Sequence, residues 1–174
     1  MAKEFFKFSS GWYLLYCRPK QEKQIANRLS YRSVETFVPE IKKRDKGNRR
    51  SRSSIMFPSY VFVHLSDMSD YYEAQDTTSV VGYVKFNNIP VAVDEETISS
   101  LKTIISVNAS CVITTEKFNT GAQYEISGGL LSGLKCEIIR HMGSHKGLVR
   151  VLLLDRNILI DIPSSDLLQY SSNL

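Results

Sequence analysis

The chain has 174 residues, of which 43% are hydrophobic, 23% charged and 10% aromatic; this composition suits one domain or two small ones and excludes low-complexity disorder and collagen-like fibres. Its longest mostly apolar stretches, 55–65 and 148–154, are shorter than the roughly 18 to 20 residues of a membrane helix. Residues 1–66 carry a net charge of +9 and residues 67–174 one of −5. This polarity is typical of proteins that bind nucleic acid, although a solvated basic face would look the same.

The N-terminal sequence and the cysteines point to a reduced, cytoplasmic protein. MAKEFFKFSSGW has neither the apolar run nor the cleavage site of a secretory signal. Cys17, Cys111 and Cys136 are widely spaced and form no C-x-x-C pair, which argues against a disulfide framework and against a zinc site. We interpret them as small buried hydrophobic residues.

The first part of the chain alternates strand and helix signals. Residues 11–17 predict a buried strand, and residues 20–33 predict an amphipathic helix that begins near Pro19. A strand at 36–43 then runs into a basic hairpin tip at 42–52, which carries seven basic residues.

The returning segment of that hairpin, IMFPSYVFVHL, is a strand that Pro58 confines to an edge or a bulge. A short helix at 71–76, a strand at 80–86 and a helix capped by Asp94 complete the order βαββαβα. This order predicts an α+β domain with helices flanking an antiparallel sheet.

The last third of the chain differs in composition and holds six of the nine glycines. We therefore predict a first domain at 1–105, a linker at 106–119 and a second domain at 120–174. Short alternating segments separated by turns favour a small five-stranded β-barrel. The same residues also fit a helical stripe, so an α-helical hairpin packed on the first domain stays open as an alternative. The side chains of this interdomain or partner surface would be Leu148, Val151, Leu152, Leu154 and Leu159.

The sequence contains no motif that would carry catalysis. No nucleotide-binding loop, nucleophile elbow or paired-carboxylate motif is found. The three histidines, His64, His141 and His145, fit a strand end and a glycine-flanked turn. The sequence therefore predicts a protein that is not an enzyme and that needs neither a metal nor another cofactor.

The most informative apolar residues are aromatic and lie close together. Phe57, Tyr60 and Phe62 fall within six residues of each other around Pro58. Because strand side chains alternate, Tyr60 and Phe62 share one face while two valines take the other. Both faces are apolar, so the aromatic face is either covered by the core or left open as a docking patch.

Taken together, these segments resemble the NusG-type transcription elongation factors. GWYLLYCRPKQEKQIANRL, the FPSYVFV strand, VVGYVKF and IPVAVDEETISSL are similar to the N-terminal (NGN) domain of that family, and GAQYEISGGLLSGLKCEII is similar to its KOW motif. The resemblance covers about residues 11 to 170 in the same order. WYLLYC and YVFV resemble RfaH, the operon-specialised branch, more than the general factor.

The resemblance implies a transcription elongation and antitermination factor. Members of the family bind the clamp helices of the RNA polymerase β′ subunit and disfavour the open, paused clamp, which suppresses pausing and termination. The matching polymerase-binding positions are Phe57, Pro58, Tyr60, Phe62, Phe86 and Ile98. RfaH also contacts the β-subunit gate loop through a His-Thr-Thr-Thr stretch. This chain has DYYE at 70–73, which puts that contact in doubt.

The RfaH branch also reads the non-template DNA strand of a paused complex, which recruits it to specific operons. The matching DNA-binding positions are Arg18, Lys20, Arg28, Tyr31, Arg32, Thr77 and Thr78. Arginine can bond a guanine edge and tyrosine can stack on a base. Arg28, Tyr31 and Arg32 share one helix face, as residues of a solvated helix surface also would. The basic tip at 42–52 is expected to approach upstream duplex DNA by charge alone.

Two other functions compete with this hypothesis. One is a general NusG-type factor without operon specificity, and the other is a ribosome-linked or RNA-binding KOW protein. Residues 119–174 hold five basic and five acidic side chains, which disfavours direct RNA binding by that domain. A small-subunit ribosomal protein stays open as its partner. We expect a monomer without a membrane partner.

Overall fold

The structure is a computed structural model that describes residues 7–44, 51–119, 123–126, 131–151, 154 and 156–161. The chain divides into two compact units, Met1–Glu95 and Glu96–Leu174. Each unit contains a five-stranded antiparallel sheet, and three helices lie within the described ranges. The predicted α+β class is therefore confirmed. No helix in this part of the chain is long and apolar enough to cross a membrane.

The first unit alternates strands with two helices, as its sequence pattern predicts. In chain order its elements are β1 (Gly11–Cys17), α1 (Glu22–Ser30), β2 (Glu35–Phe37), β3 (Glu40–Arg44), β4 (Ser51–Ile55), β5 (Tyr60–Leu65), α2 (Met68–Gln75), β6 (Val80–Tyr83), β7 (Lys85–Phe86), β8 (Ile89–Pro90) and β9 (Ala92–Val93). The main sheet has the order β2-β5-β1-β6, and β9 also pairs with β1.

One face of the main sheet forms a core with α1 and α2. Strands β1 and β5 contribute alternate residues such as Leu15 and Val63, and none of these is more than 2% exposed. Helix α1 contributes Ile25 and Leu29, which are four residues apart and therefore share its apolar side. Burial of these side chains places the polar side of α1 toward solvent.

Local interactions at the ends of these elements explain why some observed boundaries differ from the predicted ones. Helix α2 begins earlier than predicted because Asp67 caps it, accepting a hydrogen bond of 3.0 Å from the Asp70 backbone N–H. The predicted strand at 36–43 is split between β2 and β3 at Pro39, which lacks a backbone donor for the ladder. Strands β3 and β4 form the predicted basic hairpin, whose tip at 45–50 lies outside the described residues.

The cysteines of the two sheets fit the predicted role as small hydrophobic residues. Cys17 and Cys136 are buried, and Cys111 is partly buried. Burial raises the pKa of the Cys17 thiol to about 11, with the Glu22 carboxylate adding to the effect. Burial also raises the pKa of the Cys136 thiol to about 11. Both thiols therefore stay protonated near neutral pH and are poor nucleophiles.

The second unit consists of a helix and a five-stranded sheet. Its elements are α3 (Glu95–Ser106), β10 (Cys111–Thr114), β11 (Gln123–Glu125), β12 (Lys135–His141), β13 (Ser144–Val151) and β14 (Arg156–Asp161). The strand order is β10-β14-β13-β12-β11, with every pairing antiparallel. Strand β10 lies in the stretch that the sequence predicted to be a linker. Its residues Cys111, Val112 and Ile113 favour an extended backbone and pair with β14.

The predicted closed barrel is not confirmed. Within the described ranges, no pairing joins β10 to β11, so both are edge strands of an open sheet. The helical hairpin is not the form seen here, because the β-branched residues Ile158 and Ile160 of β14 alternate in an extended ladder. Of the five predicted surface residues, Leu148, Val151 and Leu159 are buried and Leu154 is half-buried. Leu152 lies outside the described residues.

The segment 115–119 is held against one face of this second sheet. The Arg150 guanidinium donates to the backbone oxygen of Asn119 (2.9 Å), and the Asn157 amide donates to that of Glu116 (2.8 Å). The Phe118 ring meets His141 edge to face at 5.7 Å. These contacts fix the segment along that face.

An ion pair fixes the side chain that makes the first of these contacts. Glu137 is 1% exposed, and its carboxylate accepts two hydrogen bonds from Arg150, at 2.6 and 2.9 Å. This bidentate bond raises the pKa of Arg150 further above its ordinary value. One guanidinium nitrogen, Nη2, donates both to the Glu137 carboxylate and to the Asn119 backbone oxygen in the segment 115–119.

Candidate nucleic-acid interface

The end of α1 and the loop after α2 bring most of the predicted DNA-binding residues together. Ile25 and Leu29 turn one side of α1 into the core, so Arg28 and the residues just after the helix stand in solvent. The loop begins at Asp76, the C-cap of α2, and continues through Thr77 and Thr78. Helix α1 and this loop are close because both pack around the same core.

A surface pocket of about 260 Å³ lies between the two elements. Its lining residues are Arg28, Tyr31, Arg32, Asp76, Thr77 and Thr78. Five of these six are DNA-binding positions predicted from the sequence, and they come from segments more than 40 residues apart in the chain. Asp76 is the additional member.

Hydrogen bonds fix most of the lining, whereas the tyrosine ring is left exposed. Arg28 Nη1 donates to the backbone oxygen of Thr78 (3.1 Å), and Arg32 is hydrogen-bonded and ion-paired with Glu73. The Thr77 hydroxyl donates to the Glu73 backbone oxygen (2.8 Å) and is nearly buried. Tyr31 is 91% exposed. The pocket therefore combines fixed polar groups with a ring available for stacking.

Two predicted positions, Arg18 and Lys20, lie outside the pocket lining. Both side chains are exposed. The backbone N–H of Arg18 donates to the oxygen of Ser79 (3.0 Å), which places Arg18 beside the end of the loop that lines the pocket. Lys20 has a φ of 64°, a left-handed conformation that is uncommon for a residue with a side chain.

The sequence prediction missed one acidic residue in the pocket lining, Asp76, and one beside it, Glu73. They are three residues apart on α2 and its C-cap, so they share one side of that helix. This i, i+3 spacing was a visible signal, but the ion pair of Glu73 with Arg32 is a long-range contact. With Arg32 already paired, the lining carries little net positive charge. It suits a ligand that offers hydrogen-bond donors and acceptors more than a bare phosphate.

The predicted polymerase-binding aromatic residues are divided between the interior and the surface. Pro58 is exposed and Tyr60 half-exposed, and Phe86 in the β7–β8 hairpin is 71% exposed. In contrast, Phe57, Phe62 and Ile98 are only 3%, 0% and 1% exposed. These three side chains are buried, so at these positions the structure has the covered arrangement, one of the two that the sequence left open.

The burial of Phe62 has a clear physical cause. Its ring packs between those of Phe37 and Phe57, with both centroid distances 6.0 Å. Strand alternation established which face Phe62 occupies, but it carries no information on what covers that face. Phe62 therefore belongs to the packing of the first unit.

At the surface end of this face, the predicted residue Tyr60 pairs with Tyr16, which the sequence prediction did not include. Tyr16 lies directly opposite Tyr60 in the β1–β5 register, and the two ring centroids are 5.5 Å apart. Tyr16 is 44% exposed. The alternation of GWYLLYC was the available signal, because it places Tyr16 on the face opposite to the core residue Leu15. We call Tyr16, Pro58 and Tyr60 the aromatic end of the sheet.

Residues 70–73, which stand where RfaH has its gate-loop motif, make contacts within the first unit. The Asp70 carboxylate accepts a 2.8 Å bond from the Ser66 N–H, and the Tyr71 ring stacks on Tyr83 at 4.5 Å. Glu73 is paired with Arg32. Among the described residues, no group of histidine, cysteine or acidic side chains is arranged to hold a metal ion.

Comparisons with known proteins agree with this fold. A family model described as transcription termination factor nusG matches residues 10–102. The transcription termination/antitermination protein NusG of Chlamydia pneumoniae is 27% identical over 134 residues, covering 68% of this chain and 71% of the relative. A structure of Thermotoga maritima NusG, solved for its domain interaction, has a TM-score of 0.52 and 17% identity, and the match covers 88% of this chain and 93% of that one.

The structural match supports the fold, and the family model supports the family. The predicted resemblance is thereby confirmed at the level of NusG. The family model matches more than half of the 174 residues. The chain therefore belongs to the NusG family of transcription termination and antitermination factors, which is a family of transcription factors and not of enzymes.

Proposed function

We propose that this protein is an operon-specialised NusG-family factor of the RfaH type. It docks on the β′ clamp helices of RNA polymerase through the aromatic end of its first sheet. It captures an exposed base of the non-template DNA strand in the pocket between α1 and the loop after α2. The observation that carries the proposal is the pocket itself, in which five predicted DNA-binding residues meet.

The exposed ring of Tyr31 provides the main contact with a base. A base stacked on an aromatic side chain gains about 1 to 3 kcal/mol, and every base has a face that can stack. Tyr31 is 91% exposed, so a base can reach it without displacing other side chains. An unpaired strand in a paused complex presents bases whose pairing partner has already been displaced, so turning one out costs less free energy.

The polar lining then reads the edge of the stacked base. Arg28 uses one nitrogen for the Thr78 oxygen and retains further N–H donors, which suit acceptors such as guanine N7 and O6. Asp76 supplies an acceptor for base amino groups. A carboxylate in the lining repels phosphate, so the pocket selects a base while Arg18 and Lys20 beside it meet the strand's backbone.

The aromatic end of the sheet provides the docking surface. Tyrosine is enriched among the residues that dominate binding energy, because it presents a large rigid ring with a polar group at its end. The exposed ring of Tyr16 packs beside the half-exposed ring of Tyr60, next to Pro58. Phe86 extends this apolar contact from the β7–β8 hairpin.

Docking changes transcription through a conformational equilibrium. A factor that binds one clamp state more tightly than the other shifts the population by that difference in affinity. Moving a two-state equilibrium from 1:99 to 99:1 takes about 5.5 kcal/mol, and a tenfold shift takes about 1.4 kcal/mol. Two aromatic anchors of about 2 kcal/mol each are sufficient for a tenfold shift when they contact one clamp state and not the other.

Removal of the Tyr31 ring tests base capture. We expect Tyr31→Ala to weaken binding to a paused elongation complex with an exposed non-template strand by about tenfold, from lost stacking. Tyr31→Phe keeps the ring and is expected to bind normally. Neither variant should change binding to core polymerase without DNA. Affinities measured by fluorescence anisotropy of the labelled protein give both values.

Two outcomes would contradict the base-capture proposal. Equal losses on core polymerase and on the paused complex would mean that Tyr31 supports docking or folding. Unchanged binding of Tyr31→Ala to both would indicate a general NusG factor that reads no base. Lys23→Ala is the matched control on the same helix: it removes the solvent-accessible ion pair of Lys23 with Glu40 of β3 and is expected to have no effect on binding.

Removal of the tyrosine pair tests docking. The double variant Tyr16→Ala/Tyr60→Ala is expected to bind core polymerase at least about 30-fold more weakly, since an interface anchor contributes about 2 kcal/mol or more. Tyr72→Ala removes another exposed tyrosine, on α2, and is the control expected to bind normally. Co-sedimentation with purified core polymerase gives the comparison, and unchanged binding of the double variant would refute the docking surface.

A further inference from the structure

A buried carboxylate holds the turn that leads into the aromatic end of the sheet. Glu22, the first residue of α1, is only 2% exposed. Its Oε1 accepts a 2.7 Å hydrogen bond from the backbone N–H of Ser59. The Ser59 oxygen in turn accepts from the Cys17 N–H (2.9 Å), and the Tyr60 N–H donates to the Phe57 oxygen (3.2 Å). The turn between Phe57 and Tyr60 is thus fixed to α1 on one side and to β1 on the other.

This turn has an uncommon backbone conformation and a buried charge, which an ordinary turn does not need. Ser59 has a φ of 70°, a left-handed conformation that a residue other than glycine adopts only where its surroundings impose it. A carboxylate taken out of water is costly unless hydrogen bonds replace its hydration. Bonds from a backbone N–H to a carboxylate are among the stronger ones, so this contact locks the Ser59 backbone.

Helix α1 connects this turn to the base pocket. Glu22 is at its first residue, whereas Arg28 and the following Tyr31 and Arg32 line the pocket at its other end. Nine helical residues span about 13 Å at about 1.5 Å per residue. The aromatic end of the sheet and the pocket are therefore attached to opposite ends of one short, rigid element.

We infer that Glu22 is a positioning residue that holds the polymerase-docking turn and the base pocket at a fixed separation. The inference rests on the proposed function and adds to it how the two sites act together. When both sites are held in place, binding of one makes binding of the other intramolecular, and the joint affinity rises without a new contact. If the Ser59 backbone is released, the docking turn varies in position relative to α1 and part of that gain is lost.

Two substitutions separate the position of the Glu22 side chain from its charge. Glu22→Gln keeps the length and an acceptor oxygen for the Ser59 N–H but removes the charge. Glu22→Asp keeps the charge at the helix N-terminus but is shorter by one methylene and does not reach Ser59. The quantity to measure is the ratio of affinities for the paused complex with an exposed strand and for core polymerase alone.

We expect Glu22→Gln to keep the wild-type ratio and Glu22→Asp to lower it by about tenfold. Loss of folded protein would lower both affinities together and leave the ratio unchanged, so the ratio distinguishes positioning from general stability. Hydrogen exchange provides the second readout: the Ser59 amide is expected to be protected in wild type and Glu22→Gln and to exchange at least about tenfold faster in Glu22→Asp.

The outcomes that overturn the inference differ from those that overturn the proposed function. A normal ratio and a protected Ser59 amide in Glu22→Asp would refute the positioning role alone. A loss in Glu22→Gln with retention in Glu22→Asp would assign the effect to charge and would refute it too. If the wild-type protein binds no polymerase, the proposed function fails, and this inference fails with it.

Discussion

Phe62→Ala is expected to lower the free energy of unfolding of the first unit by about 3 to 5 kcal/mol, the usual effect of removing a fully buried phenylalanine. Phe62 is 0% exposed, and its ring packs on those of Phe37 and Phe57 in the middle of the sheet. The substitution leaves a cavity that the neighbouring rings fill only in part. Urea unfolding followed by the fluorescence of Trp12, the single tryptophan, measures the change.

Tyr60→Ala is the matched control for this prediction. Tyr60 lies two residues away on the same strand face but is half-exposed, so we expect its loss to lower the unfolding free energy by less than about 2 kcal/mol. A Phe62→Ala variant with wild-type stability and impaired polymerase binding would contradict the structure. Such a result would mean that the aromatic face is open, which was one of the two alternatives from the sequence.

Arg150→Ala is expected to lower the free energy of local unfolding of the second sheet by up to about 3 kcal/mol, because it leaves the buried Glu137 carboxylate unpaired although Arg150 itself is 20% exposed. The carboxylate of Glu137, 1% exposed, would lose both of its hydrogen bonds from Arg150. The segment 115–119 would also lose its bond at Asn119. Hydrogen exchange of the amides of β13 and β14 in the full chain measures the effect.

Lys146→Ala provides the comparison within the same strand. The ion pair of Lys146 with Asp161 is more exposed to solvent, with 22% and 56% of the two side chains accessible. Exposed pairs contribute about 1 kcal/mol or less. Similar exchange rates in the two variants would show that the Glu137–Arg150 pair is not buried in the way described.

Most of the longer elements of the first unit could be predicted from the sequence, because their signals are local. The strand predicted over 55–65 was wrong in part: a turn at 56–59 separates β4 from β5, and β5 lies between β2 and β1 and not at an edge. The four-residue spacing of Ile25 and Leu29 predicted α1, and the aromatic alternation of 11–17 predicted β1. The predicted ends of the elements were less accurate where a single residue determines the boundary. Asp67 starts α2 earlier than predicted, and Pro39 divides a predicted strand in two.

The site was predictable only where its residues are close in sequence. Arg28, Tyr31 and Arg32 were predicted to share one helix face; α1 ends at Ser30, and Tyr31 and Arg32 follow it directly. The resemblance to the family added Thr77 and Thr78. The acidic members were missed because Glu73 meets Arg32 across 41 residues of chain, which no local pattern encodes. For the same reason, alternation assigned Phe62 to a face without showing that this face is covered.

The second unit was ambiguous for a related reason. The sequence of a strand with apolar residues on both faces also fits the apolar stripe of a helix. The two can be told apart only when it is known what packs on the second face of the strand. The segment 115–119, which Arg150 and Asn157 hold beside this sheet, lies in a stretch that appeared to be a linker. These contacts depend on tertiary structure, so the local evidence for strands was limited to alternating residues, such as Ile158 and Ile160, and to the turns between them.

Photocrosslinking from position 31 tests base capture most directly. A photoreactive phenylalanine analogue placed there, in the full chain bound to a paused elongation complex, should crosslink to one unpaired base of the non-template strand. Replacing that nucleotide by an abasic site should abolish the crosslink while leaving the protein on the polymerase. Crosslinks to duplex DNA or polymerase alone, or a crosslink that survives the abasic replacement, would contradict capture of a base in the α1 pocket.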